Sequence, residues 1–153
     1  MNKLLTSLNK ENTNEYQLIG ISSSLKEYRL AYFINRALGL DLRRLKDLRT
    51  TGKANDEVTP FSLFSYPEEN NHITYYLLSN KNTRSNLIPD LRTTDYFLLI
   101  KKKIENSKIA DVLNRLKRVS TIQTAFLLEI SNIRDFFYIL TDLEIHEIEL
   151  LQN

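Results

Sequence analysis

The sequence predicts an α+β sandwich, a single two-layer unit with a mostly antiparallel sheet and helices packed on one face. Three observations lead there. Several runs of four to seven residues are apolar and aromatic, the length and composition of strands. Two longer stretches space their apolar residues by three and four, the mark of a helix with one buried face. Two of the strand-like runs flank a turn, which makes their pairing a hairpin and the sheet antiparallel. Each helix then has a single apolar stripe to bury, and one sheet face can take both.

The elements follow in order. Residues 16–21 (YQLIGI) read as a buried strand that ends at Ser22, Ser23 and Ser24. Ser24 and Glu27 have the spacing of a capping box, and Leu30, Phe33, Ile34, Ala37 and Leu38 then form one helical face. Gly39 is placed to end that helix in a left-handed conformation. Leu40, Leu42 and Arg44 alternate with polar neighbours, as in a strand, and residues 49–57, with Gly52, read as a loop. Residues 61–66 and 73–78 are the hairpin strands, joined through the turn at 67–71. Residues 96–100 (YFLLI) are continuously apolar, which suits a central strand covered on both faces. Ile109, Val112, Leu113 and Leu116 make a second helical face, capped by Asn106 or Ser107. Residues 122–130 alternate as another strand. Ile133, Phe136, Phe137 and Leu140 make a short helix, and Ile145, Ile148 and Leu151 fall in a fraying C-terminal turn or two. Residues 1–15 are expected to be loosely ordered.

Composition bounds the chemistry. The chain has 153 residues, 42% of them hydrophobic and 26% charged, which suits one globular unit with a core of its own. There is no cysteine, so disulfides, thiolate nucleophiles and cysteine metal sites are excluded. No run approaches the length of a membrane span, and the first residues lack the apolar core of a secretory signal, so a cytoplasmic protein is expected. A net charge of +2 is far from that of a dedicated nucleic-acid binder.

Residues 86–95 (NLIPDLRTTD) pose the sharpest question, because two acids lie close to the central strand. Proline lacks an amide donor and suits the first position of a helix. Asp90 then faces the positive end of the helical dipole, so Pro89-Asp90-Leu91-Arg92 reads as one helical turn that launches the strand. Asp95 is expected to bond a loop amide or pair with an arginine. The competing reading is a catalytic acid pair.

Ile88-Pro89-Asp90-x-x-x-Thr94-Asp95-Tyr96 resembles the motif that names the bacterial IPExxxVDY family, with Asp for Glu at 90 and Thr for Val at 94. Segments 18–21, 28–33, 61–64, 96–101 and 122–125 are similar too, so the resemblance runs over roughly residues 16–130. It implies a cytoplasmic setting and offers no catalytic residue to carry over. The residues after Asn132 lie outside it.

Other constellations are thin. His72 and His146 are the only histidines, and Glu147 beside His146 lacks the second histidine of a zinc protease helix. Gly20, Gly39 and Gly52 are isolated, so neither a P-loop nor a dinucleotide fingerprint is present. Gly20-Ile21-Ser22-Ser23 leads into a helix and is a candidate anion cradle, unless the serines satisfy the free amides themselves. Asp90 with Asp95, or Asp41 with Asp47, would serve a glycosidase only if held about 5–9 Å apart. Basic residues cluster at Arg43, Arg44, Lys46 and Arg49, at 101–103, and at Arg115, Lys117 and Arg118. With Tyr75 or Tyr76 exposed on a sheet face, they would hold RNA by stacking and phosphate contacts.

The leading expectation is therefore a non-catalytic binding module for another protein or a second copy of itself. Its surface is placed on the hairpin, with Phe64, Tyr66 and Tyr76 as aromatic contacts and Arg43, Arg44 and Lys46 as basic ones. An RNA-binding module is the alternative, and an enzyme with an acid site near Asp90 and Asp95 comes third. No cofactor and no metal are expected.

Overall fold

The structure, a computed structural model, describes residues 15–51, 58–82, 85–102 and 104–152. The expected loose segment at 1–14, Gly52 with most of the expected loop, and Lys103 of the basic run lie outside those residues. The fold is a mixed α+β unit. Its strands are β1 Tyr16–Ser22, β2 Arg43–Arg44, β3 Leu48–Thr51, β4 Val58–Phe61, β5 Leu63–Glu68, β6 Ile73–Ser79, β7 Tyr96–Lys101 and β8 Thr124–Leu128. Its helices are α1 Glu27–Leu38, α2 Asn106–Lys117 and α3 Phe136–Gln152.

The main sheet has six strands in the order β2-β5-β6-β7-β1-β8, and each neighbouring pair is antiparallel. β7 is in the middle, with Leu99 opposite Leu18 on one side and Tyr76 on the other. Its residues from Tyr96 to Ile100 are all buried, as the unbroken apolar run requires. Successive side chains leave a strand on opposite faces. Ile19, Ile21, Leu98 and Ile100 accordingly pack with Leu30, Ile34, Ile109 and Leu116 of α1 and α2. Leu18, Phe97 and Leu99 join Phe136, Ile139, Leu140 and Leu143 of α3 on the other side.

The antiparallel sheet and the two helices on one face are as expected. The structure adds a third layer to the two-layer sandwich: α3, 17 residues long, covers the second face together with the β3–β4 ribbon. The expected short helix and fraying tail are one continuous element. The reason is physical. Both faces of the central strands are apolar, so leaving one open would expose Phe97 and Leu99 to water, whereas both are fully buried here. The polar segment 49–57, expected as a loop, begins inside a strand: β3 runs to Thr51 and pairs with β4, with Leu48 opposite Phe61 and Thr51 opposite Val58.

The helix ends differ from expectation at their starts. α1 begins after Lys26 and α2 after Glu105, neither with a side-chain cap, so the Ser24–Glu27 box and the Asn106 or Ser107 cap do not form. Gly39 does close α1, at φ 67°, with its amide donating to the Asn35 carbonyl.

Candidate functional site

The two acids of the 88–96 segment have separate settings. Pro89–Leu91 forms a 3-10 turn with proline at its start and an exposed Asp90 in its first turn. Asp95 reaches across to the β1–α1 connection, where its Oδ2 accepts from the Ser23 amide at 2.8 Å. Its Oδ1 pairs with Lys81 Nζ at 2.7 Å. The Tyr96 hydroxyl donates to the Leu25 carbonyl in that connection, and burial, then Glu27 and Asp95, pushes its pKa up to about 12. The motif therefore staples the turn before β7 to the turn after β1.

The anchor of that staple is a residue that sequence reasoning passed over. Asn80 is completely buried. Its Nδ2 donates to the carbonyls of Leu91 at 2.9 Å and Thr94 at 2.7 Å, and its Oδ1 accepts from the Ile88 amide at 2.7 Å. One amide side chain thus satisfies both ends of the 88–94 turn. On β1, Gly20 leaves room for Thr94 and Leu128. A Cβ at Gly20 would lie 3.1 Å from Leu128 Cδ1 and 3.3 Å from Thr94 Cγ2.

The candidate anion cradle is filled from within. The Ser23 amide is taken by Asp95, and the Ser23 hydroxyl donates to Thr121 O while accepting from the Leu25 amide. Ser22 donates to Thr93 O. The anion at this strand-to-helix turn is the protein's own carboxylate. Among the described residues no group of three or more His, Cys, Asp or Glu side chains is placed to hold a metal ion. His72 is exposed in the β5–β6 turn, and His146 is half-buried on α3 with its Nε2 enclosed.

The expected hairpin surface needs correction. Phe64 and Tyr76 are buried, at 6% and 1% exposure, because α1, α2 and α3 together cover both faces of the hairpin strands. Tyr66 is half-buried and stacks on the buried Tyr75 with ring centroids 6.3 Å apart. Tyr75 and Tyr76 are therefore withdrawn from base stacking. Arg43 pairs with Asp41 at 2.9 Å, and Arg44 pairs with Asp47 while its guanidinium lies 5.7 Å from the Phe64 ring centroid. Arg115 pairs with Asp111 at 2.9 Å. Lys46 is exposed at the β2–β3 connection.

The exposed large apolar side chains lie elsewhere. On α3, Tyr138, Ile145 and Ile148 are 60%, 49% and 55% exposed, at spacings of seven and three that place them on one side of the helix. The opposite side is held by Phe136, Ile139, Leu140 and Leu143. The charged residues from 138 to 149 are all acidic: Asp142, Glu144, Glu147 and Glu149. On α1, Tyr28 and Tyr32 are 61% and 54% exposed, with Arg29 and Arg36 exposed beside them. Arg36 Nη1 donates to the Tyr32 hydroxyl at 3.1 Å. The i, i+4, i+8 spacing of Tyr28, Tyr32 and Arg36 is a signal the sequence carries. It is overlooked when only the apolar stripe of the helix is followed.

Burial raises the carboxyl pKa values of Asp142 and Glu147 above their ordinary 3.8 and 4.5. Lys101 Nζ stands 3.8 Å from Glu147, and burial outweighs that pair. Each protonated form is therefore more favoured in the folded chain than in the unfolded one. Their contribution to stability is full below 3.8 and 4.5 and is lost as pH rises through the raised folded values. Glu147→Gln should stabilise the protein near neutral pH by less than about 1 kcal/mol, since the side chain is partly solvated. The gain should vanish below pH 4.5, as thermal melts of both proteins across pH would show.

No protein-family model matches the chain, and no curated protein matches it.

Proposed function

We propose that the chain is a non-catalytic binding module and that the outer face of α3 takes a basic amphipathic helix of a protein partner. One observation carries this reading: Tyr138, Ile145 and Ile148 expose large apolar side chains on one side of α3, bordered by Asp142, Glu144 and Glu149. Three large apolar side chains about half exposed on one helix face mark a place where a partner removes them from water. Helical spacing suits a helix laid alongside, and acidic borders select basic flanks. A cytoplasmic setting and kinship with the IPExxxVDY family belong to the same reading, and the motif's acids serve the backbone in it. The RNA alternative now rests on Tyr28 and Tyr32 with Arg29 and Arg36, since Tyr75 and Tyr76 are in the core.

A fluorescence anisotropy titration tests this. A labelled leucine–lysine amphipathic helical peptide should bind the wild-type chain more weakly as salt rises, and Ile148→Lys should weaken it about tenfold or more. Equal binding by wild type and variant would overturn the assignment to α3. A labelled single-stranded RNA that binds in its place, with strong salt dependence, would favour the RNA reading.

A further inference from the structure

We infer that the partner of the α3 face is α1 of a second copy of this chain, so that copies associate head to tail. The inference rests on the binding role of α3 proposed above and names its occupant.

The chain carries a match for α3 on its own surface. The outer face of α1 is aromatic and basic where that of α3 is apolar and acidic: Tyr28 and Tyr32 stand beside Arg29 and Arg36. The Arg36 guanidinium lies 5.7 Å from the Tyr32 ring centroid and is hydrogen-bonded to its hydroxyl. That contact fixes two flexible side chains before any partner arrives and lowers the ordering cost of binding. The lengths agree. Tyr28 to Arg36 spans about 12 Å and Tyr138 to Ile148 about 15 Å at the helical rise.

Geometry sets the mode of pairing. α1 packs on one face of the sheet and α3 on the other, so one copy does not cover its own stripe. Like faces repel. An α3–α3 contact brings Asp142, Glu144 and Glu149 against acids of the same stripe, and an α1–α1 contact brings arginine to arginine. Only the unlike faces combine apolar burial with opposite charge. Such a contact uses two different patches, so it leaves one free patch of each kind and continues until a ring closes.

Sedimentation of the full chain over a range of concentration tests the inference. The wild type should grow past a dimer as concentration rises and dissociate as salt is added. Ile148→Lys, which keeps α1, and Tyr32→Glu, which keeps α3, should each weaken association about tenfold or more. Mixed in equal amounts, they should form a one-to-one dimer that grows no further, because each supplies the face the other lacks. Ile145→Lys and Tyr28→Glu form an independent second pair, and circular dichroism verifies that each variant is folded. A wild type that stays monomeric, a single variant that associates as the wild type does, or a mixture that does not combine would overturn the inference. A monomeric wild type that still binds the leucine–lysine peptide at α3 would leave the binding role standing without self-pairing. One that neither associates nor binds the peptide would remove both.

Discussion

Asn80→Ala is expected to destabilise the protein by about 3–5 kcal/mol, a large share of the stability of a small domain. The substitution removes the acceptor for the Ile88 amide and the donor to the Leu91 and Thr94 carbonyls. Leu91 O keeps a second donor, the Thr94 amide at 3.0 Å. Ile88 N and Thr94 O are buried and lose their bond to the Asn80 side chain, at about 1–3 kcal/mol each. The remainder comes from the void left around the shortened side chain and from loosening of the turn that feeds β7. Urea denaturation of the variant beside Asp90→Asn separates this account from a catalytic one. Asp90 is exposed, so its replacement should change stability by less than about 0.5 kcal/mol. Asp95→Asn should fall between the two, since it weakens the pair with Lys81 and keeps an acceptor for the Ser23 amide.

Phe136→Ala is expected to cost about 3–5 kcal/mol, the usual range for emptying an aromatic site in a core. Phe136 is 1% exposed and packs in the same cluster as Leu18, Phe97 and Leu99, so its loss opens the second face of the sheet at the start of α3. The contrast within one helix is informative. Ile145→Ala and Ile148→Ala on the outer face should each cost about 1 kcal/mol or less, because those side chains are only about half buried in the monomer. Thermal or urea unfolding of the three variants shows whether α3 is a structural layer or a loose tail. Residues kept apolar on the outside while adding little to the stability of the monomer are those expected to serve a partner.

The elements legible in the sequence were those whose pattern has one cause. The 96–100 run is apolar throughout because β7 is covered on both faces, and Leu30 with Ile34 or Ile109 with Leu116 repeat helically because each helix buries one stripe. α3 resisted that reading because its apolar residues lie on two sides, one set for the core and one for the outside. Phe136, Ile139, Leu140 and Leu143 mixed with Tyr138, Ile145 and Ile148 give no single stripe, and the same mixture concealed the candidate site. The hairpin pairing is as expected, but its first strand is shifted to Leu63–Glu68, Phe61 belongs to β4, and Phe64 and Tyr76 are in the core. Alternation tells which residues share a face but not whether a helix from far along the chain covers that face, as it does at Tyr76. Asn80 gave no signal because an asparagine after a strand reads as a turn residue, and only the folded 88–94 segment supplies its three partners.

Two-dimensional amide NMR of the full chain, titrated with the leucine–lysine peptide, tests most directly the claim that the working surface is on the outer helix and not at the proline-linked acids. Shifts are expected along Tyr138, Thr141, Ile145 and Ile148, with the amides from Ile88 to Tyr96 unmoved. Shifts centred on Asp90, Asp95 and Ser23, with α3 silent, would contradict it.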